Sequence, residues 1–159
     1  MNPIARLTQS HAPAATILIR VMVGAVFLSE GIQKFVDPAA RGAGRFVKIG
    51  LPFPEVLGPF VGGVEIACGV LLLVGLLTRL AAAPLIIDML VAIVSTKIPI
   101  LLGHGFLGFS LKSLSSYGFF SMAHEARTDF AMLLGSLFLL IVGSGPWALD
   151  RRLARRLDP

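Results

Sequence analysis

The sequence predicts an all-α integral membrane protein, a four-helix antiparallel bundle with a long, partly interfacial connection between its third and fourth helices. Three observations predict it. Of 159 residues, 55% are hydrophobic and 14% charged, and the mean hydropathy of +0.84 lies above the range of ordinary soluble domains. The apolar residues gather in four runs near the length of about 20 residues that crosses a hydrocarbon core about 30 Å thick. These runs and their connections take up nearly the whole chain, which reads as a single transmembrane domain over 1–159 with helices at about 14–35, 57–77, 80–96 and 125–142.

The first run follows Arg6 and could pass for a secretory signal. It is too long for a signal core, contains Arg20 and is followed by no small-residue cleavage site, so it reads as a retained helix. It stops at Asp37-Pro38, where proline cannot continue the hydrogen-bond ladder. In the connection that follows, Phe46, Val47 and Ile49 alternate with Arg45 and Lys48, as in a short segment lying at the lipid interface. Pro54 and Glu55 suit the opening turn of the second helix. The turn at 75–79, Gly-Leu-Leu-Thr-Arg, is so short that the second and third helices must be antiparallel neighbours.

Pro84 near the start of the third helix is tolerable because bundle partners can satisfy the freed carbonyl. From Lys97 to His124 the chain mixes Gly, Ser and Phe, and Phe106, Phe109, Phe119 and Phe120 make it too apolar for a free loop. It is expected to fold back onto the bundle or to lie in the interface as short helical pieces. The fourth helix ends at Gly143-Ser144-Gly145-Pro146, with Trp147 placed as an interfacial anchor.

Four crossings put both termini on one side. The Lys/Arg totals of the two sides, six against seven, do not separate them, but Arg151, Arg152, Arg155 and Arg156 directly after a helix are hard to translocate. Cytoplasmic termini are therefore expected. The same cluster largely sets the formal charge of +5 and suits an anionic membrane surface, so the bilayer is the expected partner and nucleic acid is not.

Other chemistries are excluded by residue type. The single cysteine, Cys68, rules out an intrachain disulfide, a CxxC redox pair and a four-thiolate metal site, and reads as a small packing residue. His11, His104 and His124 fall outside the predicted spans, so no axial pair for a haem is present. His124, Glu125 and Asp129 could ligate a metal across one helical turn, but a helix cap with an ion pair is the simpler reading, and no metal is expected. No P-loop, dinucleotide fingerprint or nucleophile elbow occurs.

What remains is ionisable residues inside the spans, where each costs about 2.5 to 3.5 kcal/mol and normally faces the bundle interior. Arg20, Gly24, Phe27, Gly31 and Lys34 share one face of the first helix, with Glu30 at its edge. Gly58, Gly62, Glu65 and Gly69 form a stripe on the second, whose small residues let another backbone approach the carboxylate. Asp88 on the third and Asp129 on the fourth continue the pattern. At about 1.5 Å per residue, Arg20 and Asp88 lie at similar depth, about 10 to 12 Å from the face bearing the termini, and could pair. Glu30, Lys34, Lys97, Arg127 and Asp129 gather near the opposite face with Glu65 deeper, which predicts a polar cavity opening there.

Such groups can serve as structural ion pairs that fix helix register. They can also exchange protons, hold a quinone headgroup or bind a small anion. Glu65 is the leading candidate, since its own helix face offers no basic residue, so it must find a partner from another helix or stay protonated.

Four segments then carry a family resemblance: 27–35 (Phe-Leu-Ser-Glu-Gly-Ile-Gln-Lys-Phe), 63–69 (Gly-Val-Glu to Gly69), 75–79, and 143–150 (Gly-Ser-Gly-Pro-Trp-Ala-Leu-Asp). In order and spacing the chain resembles the DoxX family, from its first helix to Asp150. A departure falls at Glu30, where many members carry His, so no role of that histidine transfers. The resemblance implies a bacterial inner-membrane protein related to the membrane subunits of thiosulfate:quinone oxidoreductase.

If catalytic, the chain would be a quinone-linked oxidoreductase subunit rather than a stand-alone enzyme. Glu65 and Glu30 would be its catalytic carboxylates, and Lys34, Asp129, Arg127, Arg20 and Asp88 would be its binding residues. It would hold no covalent cofactor, with a quinone as the candidate ligand and a soluble redox partner as the electron source. The alternatives are a non-enzymatic scaffold that docks a soluble partner and a small-solute or ion pathway. Gly58 and Gly62 also make a small-xxx-small motif that suits a homo-oligomer or internal packing equally.

Overall fold

The computed structural model describes residues 12–157, so Arg6 and His11 lie outside the described residues. Among the described residues seven α-helices follow one another: α1 (Thr16–Val36), α2 (Ala43–Ile49), α3 (Pro54–Val74), α4 (Thr78–Ala92), α5 (Ile98–Leu102), α6 (Phe119–Val142) and α7 (Leu149–Leu157). A single π-turn, Ile93–Lys97, joins α4 to α5. Among the described residues there is no strand, and one isolated bridge pairs Phe106 with Phe109.

Three helical stretches are long and apolar enough to cross a membrane: Thr16–Val36, Pro54–Val74 and Thr78–Leu102. Their outward faces carry exposed Leu18, Phe60 and Ile87, the arrangement expected where the surrounding solvent is lipid. α6 is of similar length, 24 residues, but carries Glu125, Arg127 and Asp129 in its first half.

The observed boundaries differ from the sequence reading for physical reasons. The third helix was expected to stop at about 96; it continues through the π-turn to Leu102, because Lys97 finds a carboxylate and Pro99 falls in the first turn of α5, where its missing N–H costs little. The last long helix starts at Phe119 rather than 125, directly after Gly118 at φ 112. The second starts at Pro54 and closes at Gly75, whose φ of 68 ends the helix in a left-handed cap with Leu76 N donating to Leu71 O.

Packing is set by glycine where backbones must touch. α1 lies mainly against α3 and α4 mainly against α6, with smaller contacts between α3 and α4 and between α1 and α6. On the α1–α3 seam, a Cβ added to Gly31 would stand 2.7 Å from Gly62 O, and one on Gly69 would stand 2.8 Å from Leu28 N. The small-residue stripe read on the second helix therefore meets Gly24 and Gly31 of the first. Between the helices Val23, Phe27, Leu72, Leu85 and Leu139 form the apolar core. The segment after α5 folds back, with Ser110 N donating to Ile49 O and Gly118 N donating to Ile100 O.

Candidate functional site: a charged cavity between the long helices

The α1–α3 seam brings Lys34 to the carboxylate at the centre of the glycine stripe. Lys34 Nζ donates to Glu65 Oε2 at 2.6 Å, and the Glu65 side chain is 3% exposed. The partner that Glu65 lacked on its own helix comes from α1. At such burial the pair excludes water, and loss of either partner would strand the other charge. Asp88 on α4 is close enough to Glu65 to interact with it directly, and its Oδ2 is buried with no hydrogen-bond partner among the described residues.

A second pair closes the same space from the other side. The π-turn adds a residue to the helix and turns Lys97 inward, where Nζ lies 3.1 Å from Asp129 Oδ2 of α6. Between the two pairs lies a cavity of about 670 Å³. Its walls are largely apolar, from residues such as Phe27, Val64, Ile87 and Met132, and its charged lining adds Glu30, Arg41 and Arg45 to the two pairs and Asp88.

The four acids and four bases that line the cavity balance in formal charge. A balanced, mostly apolar pocket with convergent polar groups accommodates an uncharged molecule with a hydrogen-bonding headgroup better than a bare ion. Arg41 and Arg45 have no ion pair among the described residues, so their guanidinium groups remain available as donors.

Five of the seven residues singled out from the sequence line this cavity: Glu30, Lys34, Glu65, Asp88 and Asp129. The other two do not. Arg127 is exposed, and its Nη1 reaches the ring of His124, with Nδ1 at 2.8 Å. Arg20 does not meet Asp88. It lies 2% exposed, donating through Nε to Leu72 O (2.9 Å), through Nη2 to Leu73 O (2.9 Å), and through Nη1 to Ser144 O (3.1 Å) and Trp147 O (2.7 Å).

Arg20 thus ties the last turn of α3 to the segment after α6, where the carbonyls left over by helix ends need donors. Asp150, 1% exposed, supplies the opposite charge close by. Its Oδ1 and Oδ2 accept from Leu77 N (2.6 Å) and Thr78 N (3.0 Å), which caps the start of α4, and its own N–H donates to Gly75 O. Gly75 has to be glycine here, because a Cβ would stand 2.5 Å from Arg20 Cζ and 2.6 Å from Ala148 Cβ. The 75–79 and 143–150 segments therefore form one buried structure around Arg20.

The sequence reading missed Asp150, Arg41 and Arg45. Asp150 had one signal, an acid directly ahead of an arginine cluster. Arg41 and Arg45 lie in and before the short α2, which reads as interfacial rather than as a cavity wall.

Comparison with known proteins gives a family and two relatives. The DoxX family model matches residues 15–98. An uncharacterised membrane protein of Mycobacterium tuberculosis is 54% identical over 95% of this chain and 88% of its own length. A protein of Bacillus subtilis, provisionally named the oxidoreductase CatD, is 29% identical over 85% of this chain and 84% of its own. No solved structure matches the chain significantly.

Proposed function

The chain belongs to the DoxX family, and from that premise we propose that it is the membrane subunit of a redox system that holds a quinone or a similar small molecule in the charged cavity. In this reading α1, α3, the α4–α5 stretch and α6 are four antiparallel crossings of a bacterial inner membrane, forming one domain with cytoplasmic termini. A soluble partner delivers the electrons. The observation that carries the reading is the buried Lys34–Glu65 pair set into the wall of a mostly apolar cavity of about 670 Å³. The oxidoreductase name of the B. subtilis relative supports a redox role.

The residues fit such a ligand. Apolar walls suit a ring and the start of an isoprenoid tail, and the charged lining offers donors on Lys34, Arg41 and Arg45 beside the carboxylates of Glu65 and Asp88. When bound, a quinone supplies a two-electron acceptor that takes up two protons. The work of the chain is then positional and acid–base. Lys34 and Arg45 orient carbonyl oxygens by hydrogen bonding, Glu65 and Asp88 hold protons at the buried end, and Glu30 connects that end to the surface. The ion pairs keep the carboxylates fixed while the apolar walls exclude water.

The test is Glu65→Gln in the purified complex with its electron-donating partner. Loss of quinone reduction at normal expression supports the proposal; unchanged turnover overturns it.

A further inference from the structure

At the opposite end from the charged cavity, the Arg20 structure supports a second cavity. It measures about 530 Å³ and its lining includes Val74, Pro146, Trp147, Leu149, Arg151 and Arg152. We infer that this is a binding site for an anionic phospholipid of the adjoining leaflet, with its phosphate between the Arg151 and Arg152 guanidinium groups. The inference is independent of what the charged cavity holds.

Four observations carry it. Among the described residues no acidic side chain lines the cavity, although Asp150 is the immediate neighbour of Arg151; that carboxylate is turned inward and engaged by Leu77 N and Thr78 N. The described lining is therefore cationic, and Asp150 does not neutralise it. The two arginines are both exposed, and guanidinium binds phosphate through parallel donors.

Trp147 is 67% exposed although its carbonyl is held by Arg20, so the indole projects outward from a fixed backbone. An indole so placed fits the headgroup level of a bilayer. Finally, Val74 is the last residue of a stretch apolar enough to span, and with Pro146 and Leu149 it gives the cavity an apolar side against which a glycerol backbone and the first methylenes can lie. A phosphate alone would leave that side unused, which favours the lipid.

Trp147 is the single tryptophan of the chain and reports on its own site. The experiment reconstitutes the full chain into phosphatidylcholine vesicles doped with dibrominated phosphatidylglycerol or dibrominated phosphatidylcholine and follows tryptophan quenching. Phosphatidylglycerol should be preferred by about thirtyfold, the scale of two arginine–lipid attractions. R151Q/R152Q should bring the preference to about one, and K48Q/K112Q, which removes the same charge elsewhere, should leave it in place.

Equal quenching by the two lipids overturns the inference. So does an equal loss in K48Q/K112Q, which would mean net charge alone attracts the lipid. Displacement of the brominated lipid by millimolar glycerol phosphate would show a free-phosphate site and overturn it as well.

Discussion

Lys34 of α1 and Glu65 of α3 meet at 2.6 Å across a seam whose backbones touch through Gly31 and Gly62. The two features depend on each other. Only glycine lets the helices come close enough for a lysine near the end of one to reach an acid at the middle of the other, and the ion pair satisfies the two charges that the close approach buries.

Removing one member of the pair leaves the other charge buried and alone. Lys34→Met or Glu65→Leu should each destabilise the protein by about 3–5 kcal/mol, while Lys34→Met and Glu65→Leu together should cost well below the sum. Thermal unfolding of the four proteins in one detergent, read as a double-mutant cycle, checks this; additive losses would show that the pair is not coupled.

The seam makes a separate prediction with its own control. Gly31→Ala puts a methyl against Gly62 O and Ile66 N, and should lower stability by about 1–3 kcal/mol through overpacking. Gly63→Ala, one residue from Gly62 but with nothing within 4 Å of the added Cβ, should change it by less than about 0.5 kcal/mol. Melting temperatures of the pair distinguish a close backbone contact from a general intolerance of α3 to larger residues.

Asp150 sets where the chain can be shortened. Truncation after Asp150 keeps the cap of α4 and the charge beside Arg20, so the product should remain monodisperse and resist protease. Truncation after Leu149 removes both, and Asp150→Ala should mimic it, with a loss of about 3–5 kcal/mol for a buried charge left unpaired. Equal behaviour of the two truncations would remove the structural role given to Asp150.

The proposed orientation is testable with single cysteines in a Cys68→Ala background. Lys48 and Arg152 are both exposed and belong to opposite ends of the long helices. A membrane-impermeant maleimide added to intact cells should label Lys48→Cys and spare Arg152→Cys until the membrane is opened. The reverse pattern would place the termini outside.

The sequence made the long helices legible because apolar runs and the closing glycines are local signals. It also made part of the cavity legible: Glu65 on a glycine stripe with no base of its own implied either a partner from another helix or a protonated acid, and Lys34 is such a partner. Arg20 was misread because rise per residue gives a depth and not a neighbour. Its four acceptors come from 72, 73, 144 and 147, which no periodicity on α1 could reveal. Asp150 was missed for the same reason, since its role is to cap a helix more than 70 residues earlier in the chain. The end of the third helix was placed too early because Lys97 looks like a boundary until Asp129 is seen beside it.

The central claim, that the cavity beside Lys34 and Glu65 holds a quinone, is tested most directly by what the protein retains. The chain would be purified from its native membrane in mild detergent and its organic extract measured by quantitative mass spectrometry. The account predicts quinone near one equivalent in the wild-type protein and a loss of at least about tenfold in Lys34→Gln/Glu65→Gln, in which the side chains keep their size and lose their charge. Quinone absent from the wild-type extract, or equal in both proteins, would contradict it.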